Sequence, residues 1–267
     1  MKFDLVISDF DGTLGKAPDL IESETVSAIK EYTDKGGIFA VCSGRMYRSI
    51  RAICLKYGFS GAVVSYQGAM INDIKTGKSI FSGGVDPSLA AEIVKDFKER
   101  KIPVIVDIND EMLYEERTDL IAKYEYGVGV KGIKIKDAVE TAANSNEKIN
   151  KVIGVCEPIT AKKLEIELSE KYKGRLLVNT GAPVLVEAID KDCGKGFAVE
   201  FLAKHYGVPY EKIMAVGDSS NDIGLLNGKW HGVAVGSACE ELKAVADEVT
   251  VPFSEQPIKY LLRKYCL

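Results

Sequence analysis

An apolar run near the start of the chain, Leu5-Val6-Ile7, leads straight into Ser8-Asp9-Phe10-Asp11-Gly12-Thr13-Leu14. Apolar residues bounded by polar ones at this length read as a buried strand. Side chains alternate along an extended chain, so Asp9 and Asp11 are expected to point the same way. Two carboxylates aimed at one place repel unless a cation or a shared proton stands between them. A strand that ends like this suggests a bound hard cation, and oxygen ligands suit magnesium. The plain alternative is a polar strand-to-loop turn with Gly12 supplying a positive φ. The rest of the chain decides between the two.

Pro18-Asp19 mark a loop, and residues 22–35 then read as a helix with Ile21, Thr25, Ala28, Ile29 and Tyr32 at helical spacing. Gly36-Gly37 ends it. Residues 38–42 form a second strand. Met46, Ile50, Ile53 and Tyr57 make the face of a second helix stopped by Gly58, and residues 62–65 form a third strand. Strand-helix-strand-helix-strand is the pattern of a parallel sheet covered by helices. Residues 66–72 and 79–81, around Lys75-Thr76-Gly77, predict a hairpin leaving that sheet, with a hinge at Gly83-Gly84.

Strands are then expected at 103–108, 112–115, 148–156, 175–179 and 184–189. Helices are expected from Asp86-Pro87 onward and at 118–126, 136–143 and 160–172. This stretch has antiparallel tendencies. Simple alternation returns with helix 195–206, strand 212–216, helix 219–226, strand 232–235, helix 240–246, strand 248–251 and helix 257–265. The fold class is therefore α/β. A Rossmann-like parallel-sheet core spans 1–83 and 188–267, and an α/β unit is inserted at 84–187.

Bulk properties exclude several roles. A formal net charge of −4 over 267 residues recruits no polyanion, so nucleic acid is not expected as a partner. No apolar run approaches the roughly 20 residues of a membrane span, so no membrane association is expected. Residues 1–20 do not read as a signal peptide. Six scattered cysteines without a paired motif, and only His205 and His231, argue against structural zinc and for reduced thiols in the cytoplasm. Cys42 and Cys193 read as small buried residues, and both histidines as structural.

Four polar stretches fall where a strand or helix meets a loop, and in open parallel sheets ligands bind outside the carboxyl ends of the strands. Asp9 and Asp11 end the first strand, Ser43 the second, and Asp218 a later one with Asn221 and Asp222 close behind. Lys195 opens the helix before that strand. Asp9 and Asp218 can each give magnesium an oxygen, with a backbone carbonyl near Asp11 as a third. Lys195 can neutralise a phosphoryl group and keep a nucleophilic carboxylate ionised. Ser43 and the amides around Gly12 and Gly44 can donate to phosphoryl oxygens. One carboxylate can form an aspartyl phosphate, and a second can pass a proton to the leaving alcohol and take one from water.

The bland readings are a helix-start lysine for Lys195, a helix cap for Ser43, a structural Arg45 and a first-turn acid for Asp222. Tyr114, Tyr124 and Tyr126 read as packing residues.

Taken together, Asp9-Phe10-Asp11-Gly12-Thr13, Ser43-Gly44-Arg45, Gly194-Lys195-Gly196 and Gly217-Asp218-Ser219-Ser220-Asn221-Asp222 resemble the four motifs of haloacid dehalogenase superfamily phosphatases. The capped Cof-like type IIB branch is the nearest in pattern, and the resemblance covers essentially the whole chain. It implies Asp9 as nucleophile and metal ligand, and Asp11 as general acid/base that offers its carbonyl to the metal. Asp218 would be a direct magnesium ligand and Asp222 a direct or water-mediated one. Ser43 and Lys195 would hold the phosphoryl group, Thr13 would orient the loop, and Asn221 would position Lys195 or substrate. Gly12 and Gly44 would allow close backbone approach.

Many relatives carry Asn-Gly where this chain has Gln67-Gly68. Ser219-Ser220 replaces an acidic or glycine-rich pair, and Leu225 or Leu226 a methionine. The implied activity is magnesium-dependent hydrolysis of a small phosphate ester, most plausibly a sugar phosphate, by a monomer or weak homodimer with 84–187 as its cap. The alternatives are a phosphosugar mutase or phosphotransferase, and a non-hydrolytic phospho-acceptor binding protein.

Overall fold

The computed structural model describes residues 1–16 and 20–267, so the loop expected at Pro18-Asp19 lies outside the described residues. β1 (Leu5–Asp9) is buried along its whole length and forms the centre of an eight-stranded sheet. α1 (Ser23–Asp34), β2 (Ile38–Cys42), α2 (Tyr47–Lys56) and β3 (Ala62–Ser65) follow as the strand-helix alternation predicts. β4 (Met70–Asp73) and β5 (Ser79–Ser82) form the expected hairpin, but it does not leave the sheet. β4 pairs antiparallel with β3, Val64 opposite Ile71, and β5 adds a further antiparallel edge. The buried Ile71 gives the hairpin an apolar residue to set against the core.

An inserted run carries α3 (Pro87–Glu99), β6 (Val104–Ile108), β7 (Glu111–Tyr114), α4 (Asp119–Val128), β8 (Ile133–Lys134) and α5 (Ala138–Ala143). It continues through β9 (Ile149–Val155), α6 (Pro158–Lys171), β10 (Leu176–Ala182) and β11 (Leu185–Asp190). Its strands form a second sheet, β10-β11-β9-β6-β7-β8, antiparallel except where β8 runs parallel to β7. β8 falls between the helices expected at 118–126 and 136–143, where no strand is expected, and β10 runs past the expected residue 179 through a bulge.

The chain then returns to the first sheet with α7 (Lys195–Tyr206), β12 (Ile213–Gly217), α8 (Ile223–Leu226), β13 (His231–Ala234), α9 (Glu240–Lys243), β14 (Glu248–Val249) and α10 (Pro257–Tyr265). The single helix expected at 219–226 is a 3-10 turn at Ser220–Asp222 followed by α8.

The core sheet reads β14-β13-β12-β1-β2-β3-β4-β5, parallel from β14 to β3. Alternation sends Val6, Phe39, Val41 and Met214 to one face, where α1, α2 and α10 cover them. Leu5, Ile7, Ala40 and Ala215 go to the other, against α7, α8 and α9. Burying each large aliphatic side chain here contributes roughly 1.5–3 kcal/mol.

The second sheet has one face on α3, α5 and α6. Its other face brings Ile105, Ile153, Val155 and Leu185 against Met46, Tyr66 and Ala69 of the core. The crossings between the sheets lie side by side, because a Cβ at Gly83 would stand 2.9 Å from Cys193 Sγ. Gly84, read as a hinge, has φ +148° and no room for a side chain, since a Cβ would meet the Ile149 carbonyl at 2.6 Å. Its neighbour Val85 exchanges both backbone hydrogen bonds with Ile149, which ties the crossing to β9. Among the described residues no helix is long and apolar enough to cross a membrane.

Candidate active site

β1 lies between β2 and β12, so the strand order runs outward in both directions from this point. The crevice at the carboxyl ends of such strands is where open α/β sheets take ligands. Asp9 is the last residue of β1, and Asp218 directly follows β12. Gly12 turns the chain after β1 with φ +87°, and a Cβ there would lie 2.4 Å from Asp218 Oδ2. Thr13 Oγ1 donates to Asp218 Oδ1 at 3.1 Å, which pins the two loops together.

Lys195, at the first position of α7, is buried. It donates to Asp9 Oδ1 at 2.6 Å and to Asp222 Oδ1. Asp222 is held from the other side, where its Oδ2 accepts from the Asp218 and Ser219 amides at 3.0 and 3.1 Å. Oxygens of Asp9, Asp218 and Asp222 lie within 4.8 Å of one another.

Three buried or half-buried carboxylates against one ammonium leave the cluster short of positive charge. Burial pushes the Asp9 carboxyl well up; Asp222 and Asp218 add to this and Lys195 opposes it. Burial, then Asp222, pushes Asp218 up to about 6. Burial works against the Lys195 charge, but Asp222 and Asp9 outweigh it and hold the ammonium well above its usual range. An oxygen-only donor set with excess negative charge fits a hard divalent cation, so these three aspartates could hold a metal ion.

Asp11 is half exposed and does not join them. Arg45 grips it with a two-pronged fork, Nε to Oδ2 at 2.9 Å and a guanidinium nitrogen to Oδ1 at 2.8 Å. Arg45 read as structural in the sequence; here it touches the second acid of the opening motif. Ser43 is buried, and its hydroxyl accepts from the Arg45 amide at 3.2 Å. It does not cap α2, whose N-cap is Met46. Asn221 accepts from Ser219 Oγ at 2.6 Å.

A cavity of about 720 Å³ joins these groups. Asp9, Asp11, Ser43, Asp218 and Asn221 form its core side, and Leu120, Tyr124, Leu185 and Glu187 face them from the inserted unit. Cys42 and Cys193 have thiols pushed up to about 12 by burial, as suits inert packing residues. His231 pairs with Glu248 at 3.0 Å and stacks on Phe3, away from the cavity.

Three charged residues on the inner face of the second sheet escaped the sequence reading. Asp107 and Lys151 sit opposite each other in the β6–β9 register, and Lys151 Nζ reaches Glu187 Oε1 at 2.7 Å. The available signal was a charge interrupting each apolar strand, Val104-Ile105-Val106-Asp107 and Ile149-Asn150-Lys151-Val152-Ile153. Fully buried charges are rare unless paired.

The family model for haloacid dehalogenase-like hydrolases matches residues 6–262. A Haemophilus influenzae protein provisionally named as a phosphatase is 30% identical over 99% of this chain and 98% of its own. The 5-amino-6-(5-phospho-D-ribitylamino)uracil phosphatase YwtE of Bacillus subtilis is 26% identical over 95% of both chains. A solved structure of a subclass IIB sugar phosphatase superposes with a TM-score of 0.83, at 20% identity over 98% of each chain.

Proposed function

The chain belongs to the haloacid dehalogenase-like hydrolase family, and on that premise we propose that it is a magnesium-dependent phosphatase of a small cytoplasmic phosphate ester, foremost a sugar phosphate. The observation that carries this reading is the buried Lys195 bridge between Asp9 and Asp222 at the edge of the 720 Å³ cavity. The bridge orients Asp9 and sets a cation beside it. We take 84–187 as a cap over a core of 1–83 and 188–267; it excludes water while the phosphoryl group is bound to the protein. The ribityl phosphate in the name of one relative and the sugar phosphatase among the solved structures support a polyhydroxylated substrate.

In this reading Asp9 attacks phosphorus and the bond from phosphorus to the leaving oxygen breaks. Asp11, protonated and released from the Arg45 fork, gives that oxygen its proton. Asp11 then takes a proton from water, the water oxygen bonds to phosphorus, and the Asp9–phosphorus bond breaks to free inorganic phosphate. Ser43, Lys195 and the amides near Gly12 and Gly44 bind the phosphoryl oxygens, Thr13 fixes the loop, and Asn221 lies on the substrate side. Magnesium held by Asp9, Asp218, Asp222 and the Asp11 carbonyl would add positive charge against those oxygens.

The test is phosphate release from a panel of sugar phosphates, with magnesium and with chelator. Wild type is expected to release phosphate only with the metal, and a folded Asp9→Asn protein is expected to release none. Near-normal turnover in Asp9→Asn removes the nucleophile assignment. Transfer to a second sugar hydroxyl without free phosphate removes the hydrolase assignment.

A further inference from the structure

A buried hydrogen-bonded ring spans the two sheets beside the Ser43-Gly44 turn. Lys151 gives one Nζ hydrogen to Glu187 Oε1 at 2.7 Å and another to the Gly44 carbonyl at 2.8 Å. Glu187 Oε2 accepts from Gln67 Nε2 at 3.2 Å. The Gln67 backbone amide donates to the Ser43 carbonyl at 3.1 Å, which closes the ring on the Ser43-Gly44 turn, and a Cβ at Gly44 would meet Gln67 Nε2 at 2.5 Å. Burial opposes the Lys151 charge, but Glu187, Tyr124 and Asp107 hold the ammonium above its usual range.

The ring leaves acceptor capacity over at Glu187 and at Gln67. A carboxylate offers about four acceptor sites, and Lys151 and Gln67 occupy two at Glu187. Gln67 is 2% exposed, and its Oε1 has no hydrogen-bond partner. The amide cannot be turned round to cure this, because Glu187 can only accept and must face Nε2. A buried carbonyl left without a donor has lost its water and gained nothing in return. Gln67 also holds a left-handed φ of +58°, a conformation that a residue with a Cβ disfavours. A strained, unsatisfied group at a functional site is a ground for assigning it a role.

Both residues line the cavity that contains Asp9 and Ser43. Gly181 lets the carboxylate reach the wall, since a Cβ there would stand 2.5 Å from the carboxyl carbon of Glu187. The neighbouring Lys151 charge disfavours an ammonium ligand, which leaves neutral hydroxyls as the fitting donors.

We propose that Gln67 Oε1 and the Glu187 carboxylate form an acceptor pair that reads hydroxyl groups on the substrate next to its phosphoryl group. The proposal rests on the phosphatase reading above and names what selects the substrate within it. An alkyl phosphate of the same length would fill the cavity but leave both acceptors unmet.

The test compares kcat/KM for sorbitol 6-phosphate and n-hexyl phosphate, two six-carbon esters that differ in hydroxyls, with p-nitrophenyl phosphate as a third substrate. Wild type is expected to prefer the polyol ester. In Gln67→Met and in Glu187→Gln the ratio of the two six-carbon esters is expected to fall about 5- to 10-fold, the worth of one net hydrogen bond. Glu187→Gln can unfold the protein by stranding Lys151; Gln67→Met, checked by its melting curve, then decides. Equal losses on both esters mark a structural role and overturn the inference, as does a wild type without preference for the polyol ester. Both of those outcomes leave the phosphatase reading standing. No release from any of the three esters by wild type overturns the phosphatase reading, and this inference with it.

Discussion

Gly12 stands where no side chain fits. Its φ of +87° disfavours any residue with a Cβ, and that Cβ would press on Asp218 Oδ2. Gly12→Ala is expected to shift Asp218 and lower kcat/KM about 100-fold, as misplacements near 1 Å in an active site do. The melting temperature should fall by only a few degrees, since the strain is roughly 1–2 kcal/mol. A Gly12→Ala protein with wild-type kinetics would show that Asp218 has no part in turnover. Lys195 carries a different load. It is the one cation hydrogen-bonded to both Asp9 and Asp222 among the described residues. Lys195→Met strands buried carboxylates, and breaking such a pair costs about 3–5 kcal/mol. Urea denaturation at pH 7 should show that loss in a well-folded protein; a loss below 1 kcal/mol would contradict it.

Among the elements, β6 holds the clearest pH handle. Burial pushes the Asp107 carboxyl up to about 7, with Lys151 opposing and Glu187 and Asp110 adding. Its folded value lies above the ordinary 3.8, so the folded state binds this proton more tightly than the unfolded chain. Stability from this group is therefore greatest below about 3.8, falls as pH rises to about 7, and then levels off. Asp107→Asn is expected to raise the melting temperature at pH 8 and to change it little at pH 3.5. An equal shift at the two pH values would mean that the carboxyl titrates normally in the fold.

These same elements show where sequence reading succeeds. β1 to β3 and their helices were legible because period-2 and period-3.6 patterns are local, and Gly36 and Gly58 stop the helices within sight of them. The junction motifs were legible because each is contiguous. Arg45 on Asp11, and Lys151 on Glu187 and Gly44, depend on which loop faces which across the cavity, and no local pattern encodes that. The β4–β5 hairpin was misjudged for the same reason, since only its register against β3 keeps it in the sheet.

For the whole molecule, metal binding and folding should be linked. The acid cluster is assembled from β1, the β12 loop and the turn before α8, so an ion bound there stabilises only the folded chain. At a magnesium concentration about 100 times Kd the gain is about 2.7 kcal/mol, or roughly 5–10 °C in Tm for a chain of this size. Chelator should reverse the rise, and Asp218→Asn should abolish most of it; an undiminished rise in that variant would place the ion elsewhere. The contact of Gly83 with Cys193 has a further consequence. Seen from the first sheet, everything that leaves at one of these residues and returns at the other is a closed loop. The entropic cost of a loop grows only with the logarithm of its length. The inserted unit is thus joined like a scion on a rootstock. A longer, shorter or exchanged insertion would therefore cost the first sheet little closure entropy, and on the proposed reading it could change the substrate without moving the acid cluster.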